Sequence, residues 1–182
     1  MSEPPLPTRQ GTRVRLAFPQ EDDGPELIAL YRVSRDFYRG LASPPATQEA
    51  FARYLERCRQ PSYVGLLLRR RSDAAILGSI SLSEIVRGIF QGAYLGYQIG
   101  APFARQGYMT EGLGLVLHYA FVRLKLHRLE ANIQPGNQPS LALVKRLGFR
   151  REGLSPRYLK IAGRWRDHER WAILAEDWRK KK

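Results

Sequence analysis

Cysteine is nearly absent from this sequence: Cys58 stands alone, so no disulfide can form within the chain. Histidine is scarce too, and three scattered imidazoles without a second thiol do not make a zinc site, so no metal is expected. No apolar run reaches the roughly 18–20 residues that cross a bilayer, and the opening MSEPPLPTRQ lacks the apolar stretch of a secretory signal. The expectation is a cytoplasmic protein with no membrane partner. Gly 16 and Pro 12 are too few for a collagenous or low-complexity chain. Lysine is thin as well: Lys125, Lys145, Lys160, Lys180, Lys181 and Lys182 are the only ones among 30 basic residues, and the rest are arginine.

What is present points to one globular domain. The 182 residues suit a single compact unit, and 43% apolar content can build its core. Residues 1–10 read as a loose arm, 11–178 as the domain and 179–182 as a basic tail. A formal charge of +13, carried mostly by arginine, whose planar fork suits bidentate phosphate contact, either reflects a solvated surface or attracts phosphate-rich partners.

The apolar pattern sets the order of elements. Val14, Leu16 and Phe18 alternate as a strand. Asp22 or Asp23 can cap a helix holding Pro25, Glu26, Leu27, Leu30 and Tyr31, and a second helix follows Thr47 through Phe51, Tyr54, Leu55 and Cys58. Cys58 reads as a small core residue. The segments 63–68, 75–82 and 93–99 then predict an antiparallel meander. Leu113, Val116, Leu117, Ala120, Phe121 and Leu124 line a helix of about four turns starting near Gly107. A strand over 128–133, a helix over 140–147 closed by Gly148, and a hairpin of 153–161 with 164–174 complete the chain.

Two junctions carry chemistry. Residues Ala104-Arg105-Gln106-Gly107-Tyr108-Met109-Thr110 join a strand end to a helix, where free N–H groups and the positive end of the dipole can hold a phosphate. The second is Asn137-Gln138-Pro139-Ser140, followed by Lys145-Arg146-Leu147-Gly148-Phe149. There Asn137 can serve as a helix cap and Ser140 as a first-turn residue.

Together these junctions resemble the Gcn5-related N-acetyltransferase (GNAT) superfamily over residues 12–178. The loop 104–109 is similar to its pyrophosphate motif, Gln/Arg-x-x-Gly-x-Gly/Ala, and Asn137 with Gly148-Phe149 is similar to its later Asn…Gly-Phe motif. The segments Tyr94-Leu95-Gly96-Tyr97-Gln98-Ile99-Gly100, His127-Arg128-Leu129-Glu130-Ala131-Asn132, Leu147-Gly148-Phe149-x-x-Glu152-Gly153 and Gly163-Arg164-Trp165-Arg166-Asp167-His168 resemble the RimJ/RimL group, most closely its RimJ branch. Two motif positions differ: Ala104 stands where Gln or Arg is usual, and Met109 where Gly or Ala is.

The resemblance implies an α/β fold of the GNAT type, with a mixed, mostly antiparallel sheet of about seven strands, splayed in the middle and flanked by about four helices. It implies acetyl-coenzyme A as co-substrate, held by Gln98, Ile99, Gly100, Ala104, Arg105, Gln106, Gly107, Tyr108, Met109, Thr110, Asn137 and Ser140. It also implies acetyl transfer to the N-terminal amine, alanine, of a ribosomal protein, which the basic chain would meet beside ribosomal RNA. Val144 occupies the place where many members have a tyrosine that protonates the leaving thiolate, so Ser140 is the remaining hydroxyl for that role. Glu84, near the end of a meander strand, ranks first for proton removal, and Glu111 in the first helical turn reads as structural. The alternatives are acetylation of a small amine, such as an antibiotic or polyamine, and a catalytically silent ribosome- or RNA-associated module. The sequence leaves open whether the chain is a monomer or a dimer.

Overall fold

The computed structural model describes residue 7 and residues 9–180. Most of the expected N-terminal arm and the last two lysines therefore lie outside the described residues.

The strands form one seven-stranded sheet in the order β1-β2-β3-β4-β5-β7-β6. They are β1 (Val14–Ala17), β2 (Val64–Arg70), β3 (Ile76–Val86), β4 (Gly92–Ile99), β5 (Arg128–Ile133), β6 (Arg150–Ile161) and β7 (Arg164–Leu174). Every neighbouring pair is antiparallel except β4 with β5. A parallel pair needs a crossover, and the helix α3 (Tyr108–His118) supplies it. The meander and hairpin thus stand where the strand-like segments put them, although β6 starts three residues before Gly153.

Alternation of side chains across the sheet creates two apolar layers. Leu66 and Leu68 face a large core with Leu113, Val116 and Leu117 of α3 and Val144 of α4 (Gln138–Leu147). Leu67 and Ile76 face a smaller core with Leu27, Leu30 and Tyr31 of α1 (Gly24–Val33) and Phe51 of α2 (Gln48–Cys58). The period of two along β2 assigns its alternate residues to opposite cores. A short fifth helix, α5 (Ala175–Arg179), follows β7 and buries Trp178, where the sequence pattern predicts no helix.

The helix ends obey local chemistry. Thr47 Oγ1 accepts the Ala50 N–H at the start of α2, and Gly148, at φ 96°, closes α4 by donating its N–H to the Lys145 and Val144 carbonyls. The expected aspartate cap of α1 is different: Asp23 makes no side-chain cap bond to that helix. Its carboxylate instead accepts the Gln20 N–H and pairs with the half-buried Arg69 guanidinium, a stronger partner than a backbone amide. The long helix after Gly107 also departs from expectation. It is α-helical only to His118 and then widens into a π-helical turn, Tyr119–Arg123, whose closing bond runs from Leu124 N–H to the Tyr119 carbonyl. Tyr119, Ala120 and Phe121 are all buried, and the wider turn lets three consecutive side chains pack where a straight helix would expose one. Cys58 is half-buried against Gly65, where a Cβ would collide with its Sγ, and burial raises its thiol pKa to about 11. It is an inert packing residue.

Candidate active site

The sheet opens at its centre. β4 pairs with β5 only through Gly92–Arg128, Ala93–Leu129 and Tyr94–Glu130. On its other edge β4 stays paired with β3 as far as Ile99. Leu95 to Ile99 therefore carry main-chain groups on the β5 side that β5 does not engage. Gly78 makes this possible, because a Cβ there would overlap the Gln98 carbonyl and push the end of β4 away from β3. The open segment leads through a 3₁₀ turn at Ala101–Phe103 straight to the start of α3.

That start is built for an anion. Gly107, at φ 81°, is the N-cap of α3 and offers no side chain to cap it. The first-turn amides of Tyr108, Met109 and Thr110 have no intrahelical acceptor. Arg105 also has a left-handed backbone, at φ 60°, which bends the loop just before the helix start. Gln106 is not a free ligand: its Nε2 donates to the Pro102 carbonyl, and its own carbonyl accepts Arg13 Nη1. Ala104, in extended backbone, donates its N–H to Ala101. The cradle thus consists of main-chain donors, and it fits a diphosphate without the side chain missing at position 104.

Glu111 braces this loop. Its carboxylate accepts the Arg13 N–H at 2.8 Å and Arg13 Nε at 3.1 Å, tying the start of β1 to α3. Burial pushes its pKa up, but the hydrogen bonds from Arg13 and Val14 outweigh that and hold it below the ordinary carboxylate value. A lowered folded-state pKa means stability that is fully present above the unfolded value, about 4.3, and is lost as pH falls through the folded one. Glu111→Gln is expected to cost about 1–2 kcal/mol at pH 7 and to flatten the acid limb of stability between about pH 5 and 3, measured by urea unfolding across pH.

The second junction lies across the opening. Asn137 Oδ1 accepts the Ser140 N–H at 3.3 Å, so Asn137 caps α4 and the Ser140 hydroxyl is not used as a cap. Tyr97, on the part of β4 that β5 leaves unpaired, reaches over with its hydroxyl 3.5 Å from the Ser140 carbonyl. Burial pushes the Tyr97 pKa up to about 12, so it stays protonated. Ser140, Asn137 and β4 are thereby brought together. Glu84 stands elsewhere. It lies at a bulge of β3, at φ 50°, in a pocket shared with Phe90, Tyr94 and Glu130. Counting from Tyr94 to Gln98, that pocket is about 13 Å along β4 from Gln98 at 3.3 Å per residue.

On the α1–α2 side of the opening is a cleft of about 330 Å³. Arg53, Tyr54 and Arg57 of α2, Ser79 and Ser81 of β3, and Gln98 of β4 line it, and none of its lining residues is acidic. Loops from both sides frame the region. Tyr38 donates to the Ile99 carbonyl, and Gln134 Nε2 donates to the Gly40 carbonyl at 2.9 Å, tying the α1–α2 connection to the end of β5. Of the main-chain groups expected to face the cofactor, the Ile99 carbonyl is therefore engaged by Tyr38. From the far side, the β6–β7 hairpin brings Tyr158 to Tyr94 at 3.5 Å between hydroxyls. Tyr38, Gln134, Arg53 and Arg57 are site residues that the sequence reading misses. Only the four-residue spacing of the two arginines offered a signal.

A splayed sheet feeding an uncapped helix invites comparison with known proteins. The model of the acetyltransferase (GNAT) domain matches residues 13–150. The chain belongs to the GNAT acetyltransferase family. Among its relatives, the Bacillus subtilis protein named "Probable N-acetyltransferase YjcK" is 34% identical over 163 residues, covering 85% of this chain and 90% of that one. The Escherichia coli [ribosomal protein uS5]-alanine N-acetyltransferase is 42% identical over 106 residues, 58% of this chain and 55% of that enzyme. Mycobacterium smegmatis RimJ, solved in complex with CoA-disulfide, superposes with a TM-score of 0.81 at 25% identity, over 90% of this chain and 82% of that one. Spermidine N-acetyltransferases from Vibrio cholerae share the fold, one at a TM-score of 0.76 and 20% identity over 92% of this chain and 96% of that one. This GNAT chain is an N-acetyltransferase, and no helix among its described residues is long and apolar enough to cross a membrane.

Proposed function

We propose that this acetyltransferase moves an acetyl group from acetyl-coenzyme A to the N-terminal α-amine of a ribosomal protein, with alanine as the first residue, in the cytoplasm. The observation that carries the reading is the continuous track from the unpaired edge of β4 to the uncapped α3 amides, with an acceptor cleft free of carboxylates beside it. The names of its relatives support the choice of acceptor.

In this mechanism the amides of residues 105–110 hold the diphosphate, with Gly107 permitting close approach. The open edge of β4 around Ile99 orients the pantetheine arm and offers a backbone N–H to the oxyanion, an interaction whose loss costs about 3–4 kcal/mol in comparable sites, whereas the Gly100 N–H is held by the Leu77 carbonyl. The amine attacks the thioester carbonyl, the C–S bond breaks, the thiolate takes a proton from Ser140, and Ser140 regains one from the nitrogen of the new amide. Asn137 holds that end of α4 in place. Glu84 receives the amine proton through water. An α-amine near pKa 7.8 costs about 1 kcal/mol to deprotonate at pH 7, against about 4.6 for lysine, so a distant carboxylate suffices.

A second reading, acetylation of a polyamine or cationic antibiotic, is disfavoured by a cleft that carries Arg53 and Arg57 and lacks acidic lining. Incubation with labelled acetyl-coenzyme A and purified ribosomal proteins, followed by mass spectrometry, tests the proposal. The expected product is an N-terminally acetylated alanine, and label confined to lysine side chains or small amines contradicts it. The basic surface adds a further expectation, that the enzyme meets its substrate beside ribosomal RNA. Raising salt from 50 to 200 mM should lower turnover on ribosomal particles several-fold more than on a short N-terminal peptide. Equal loss on both removes the RNA contribution.

A further inference from the structure

The cleft beside Gln98 has a charge that the reaction itself does not require. Arg53 and Arg57 are one helical turn apart on α2, so both heads project from the same face, and like charges at this spacing repel. Neither guanidinium forms an ion pair among the described residues. Glu49, one turn before Arg53, senses its charge without pairing with it. Arg57 is steadied over the Tyr63 ring, 4.6 Å from its centroid, a contact that orients the head without neutralising it. The rest of the wall adds the Gln98 amide, while the Ser79 hydroxyl is engaged by Tyr31 at 2.6 Å and that of Ser81 by Tyr63. Repelling cations, left without an ion-pair partner at the exposed rim of a cleft that also holds the Gln98 amide, are arranged to receive an anion.

Resting on the reading of this site as an N-terminal acetyltransferase, we infer that the preferred acceptor carries an acidic side chain next to its amine, held by Arg53 and Arg57. The cleft of about 330 Å³ includes both Gln98 on the open edge of β4 and the two arginines. At about 3.3 Å per extended residue, a peptide whose amine reaches Gln98 presents its second or third side chain to α2. A carboxylate there accepts bidentate hydrogen bonds from the guanidinium forks, whereas a lysine there meets two positive charges.

The test uses alanine-led peptides that differ only in carrying Asp, Asn or Lys at positions 2 and 3. Binding to the protein loaded with coenzyme A is measured by calorimetry and acetylation by mass spectrometry. The Asp peptides are expected to have kcat/KM about three- to tenfold above Asn and further above Lys, the span set by two largely exposed charges. The double variant Arg53→Glu, Arg57→Glu should invert that order while leaving affinity for coenzyme A unchanged, which a merely structural role for α2 would not do. Equal use of the three peptides, or a preference for Lys in the unmodified protein, overturns the inference while leaving the acetyltransferase reading intact. Loss of coenzyme A affinity in the double variant also overturns it, by assigning the arginines to the cofactor. If no peptide is acetylated but the Asp peptides still bind more tightly, the reading of the acceptor fails and the anion site stands. Absence of both effects removes both.

Discussion

Gly107→Val weakens binding of acetyl-coenzyme A by roughly ten- to a hundredfold, because a β-branched residue in the left-handed region costs on the order of 1–3 kcal/mol and binding must work against that strain. The native backbone at this position has φ 81°, and a Cβ would also sit 3.1 Å from Arg13 Nη2, in the brace formed with Glu111. Relaxation of the loop toward an ordinary conformation rotates the amides of Tyr108 and Met109 away from the diphosphate. Gly107 precedes the first turn and lies outside the core, so the melting temperature should fall only slightly. Calorimetric titration separates the two effects. An unchanged Kd in the valine variant means that the loop does not hold the diphosphate.

Ser140→Ala should lower kcat by about a hundredfold and leave the KM for acetyl-coenzyme A within about twofold, the pattern of a lost proton donor. The substitution is clean, because Asn137 caps α4 and the Ser140 side chain takes no part in that cap. Its N–H is engaged by Asn137 and its carbonyl by Tyr97, whose hydroxyl also interacts with the Ser140 side chain. Tyr97→Phe provides the contrast. Tyr97 lies across the same opening with its proton held firmly, so it is the other hydroxyl able to reach a departing thiolate. If Tyr97→Phe loses kcat and Ser140→Ala does not, the donor is the tyrosine, and the role assigned to Ser140 is wrong.

Much of this architecture is legible in the sequence, because its signals are local. The short apolar segments 63–68 and 93–99 mark strands whose partners follow through short turns, and Gly148 announces the end of α4. The helix start at Gly107 is legible for the same reason. The opening between β4 and β5 is not. It depends on where a parallel pairing stops, at Tyr94 and Glu130, and on the close approach that Gly78 permits, neither of which has a periodic signature. Only the family resemblance points to it. Tyr38 and Gln134 are single residues in irregular segments, and their bonds to Ile99 and Gly40 span 61 and 94 residues of chain. Asp23 reads as a cap because its neighbourhood looks like a helix start, but a half-buried arginine 46 residues away claims its carboxylate. The π-helical turn escapes too, since the apolar spacing through Leu124 fits an ordinary helix until three consecutive side chains must be buried.

Hydrogen–deuterium exchange of the protein with and without acetyl-coenzyme A tests the central claim most directly. Slowed exchange concentrated in 105–110 and 95–99, where diphosphate and pantetheine would each engage main-chain amides, is the predicted result. Tight binding that leaves both segments exchanging at their free rates would contradict it.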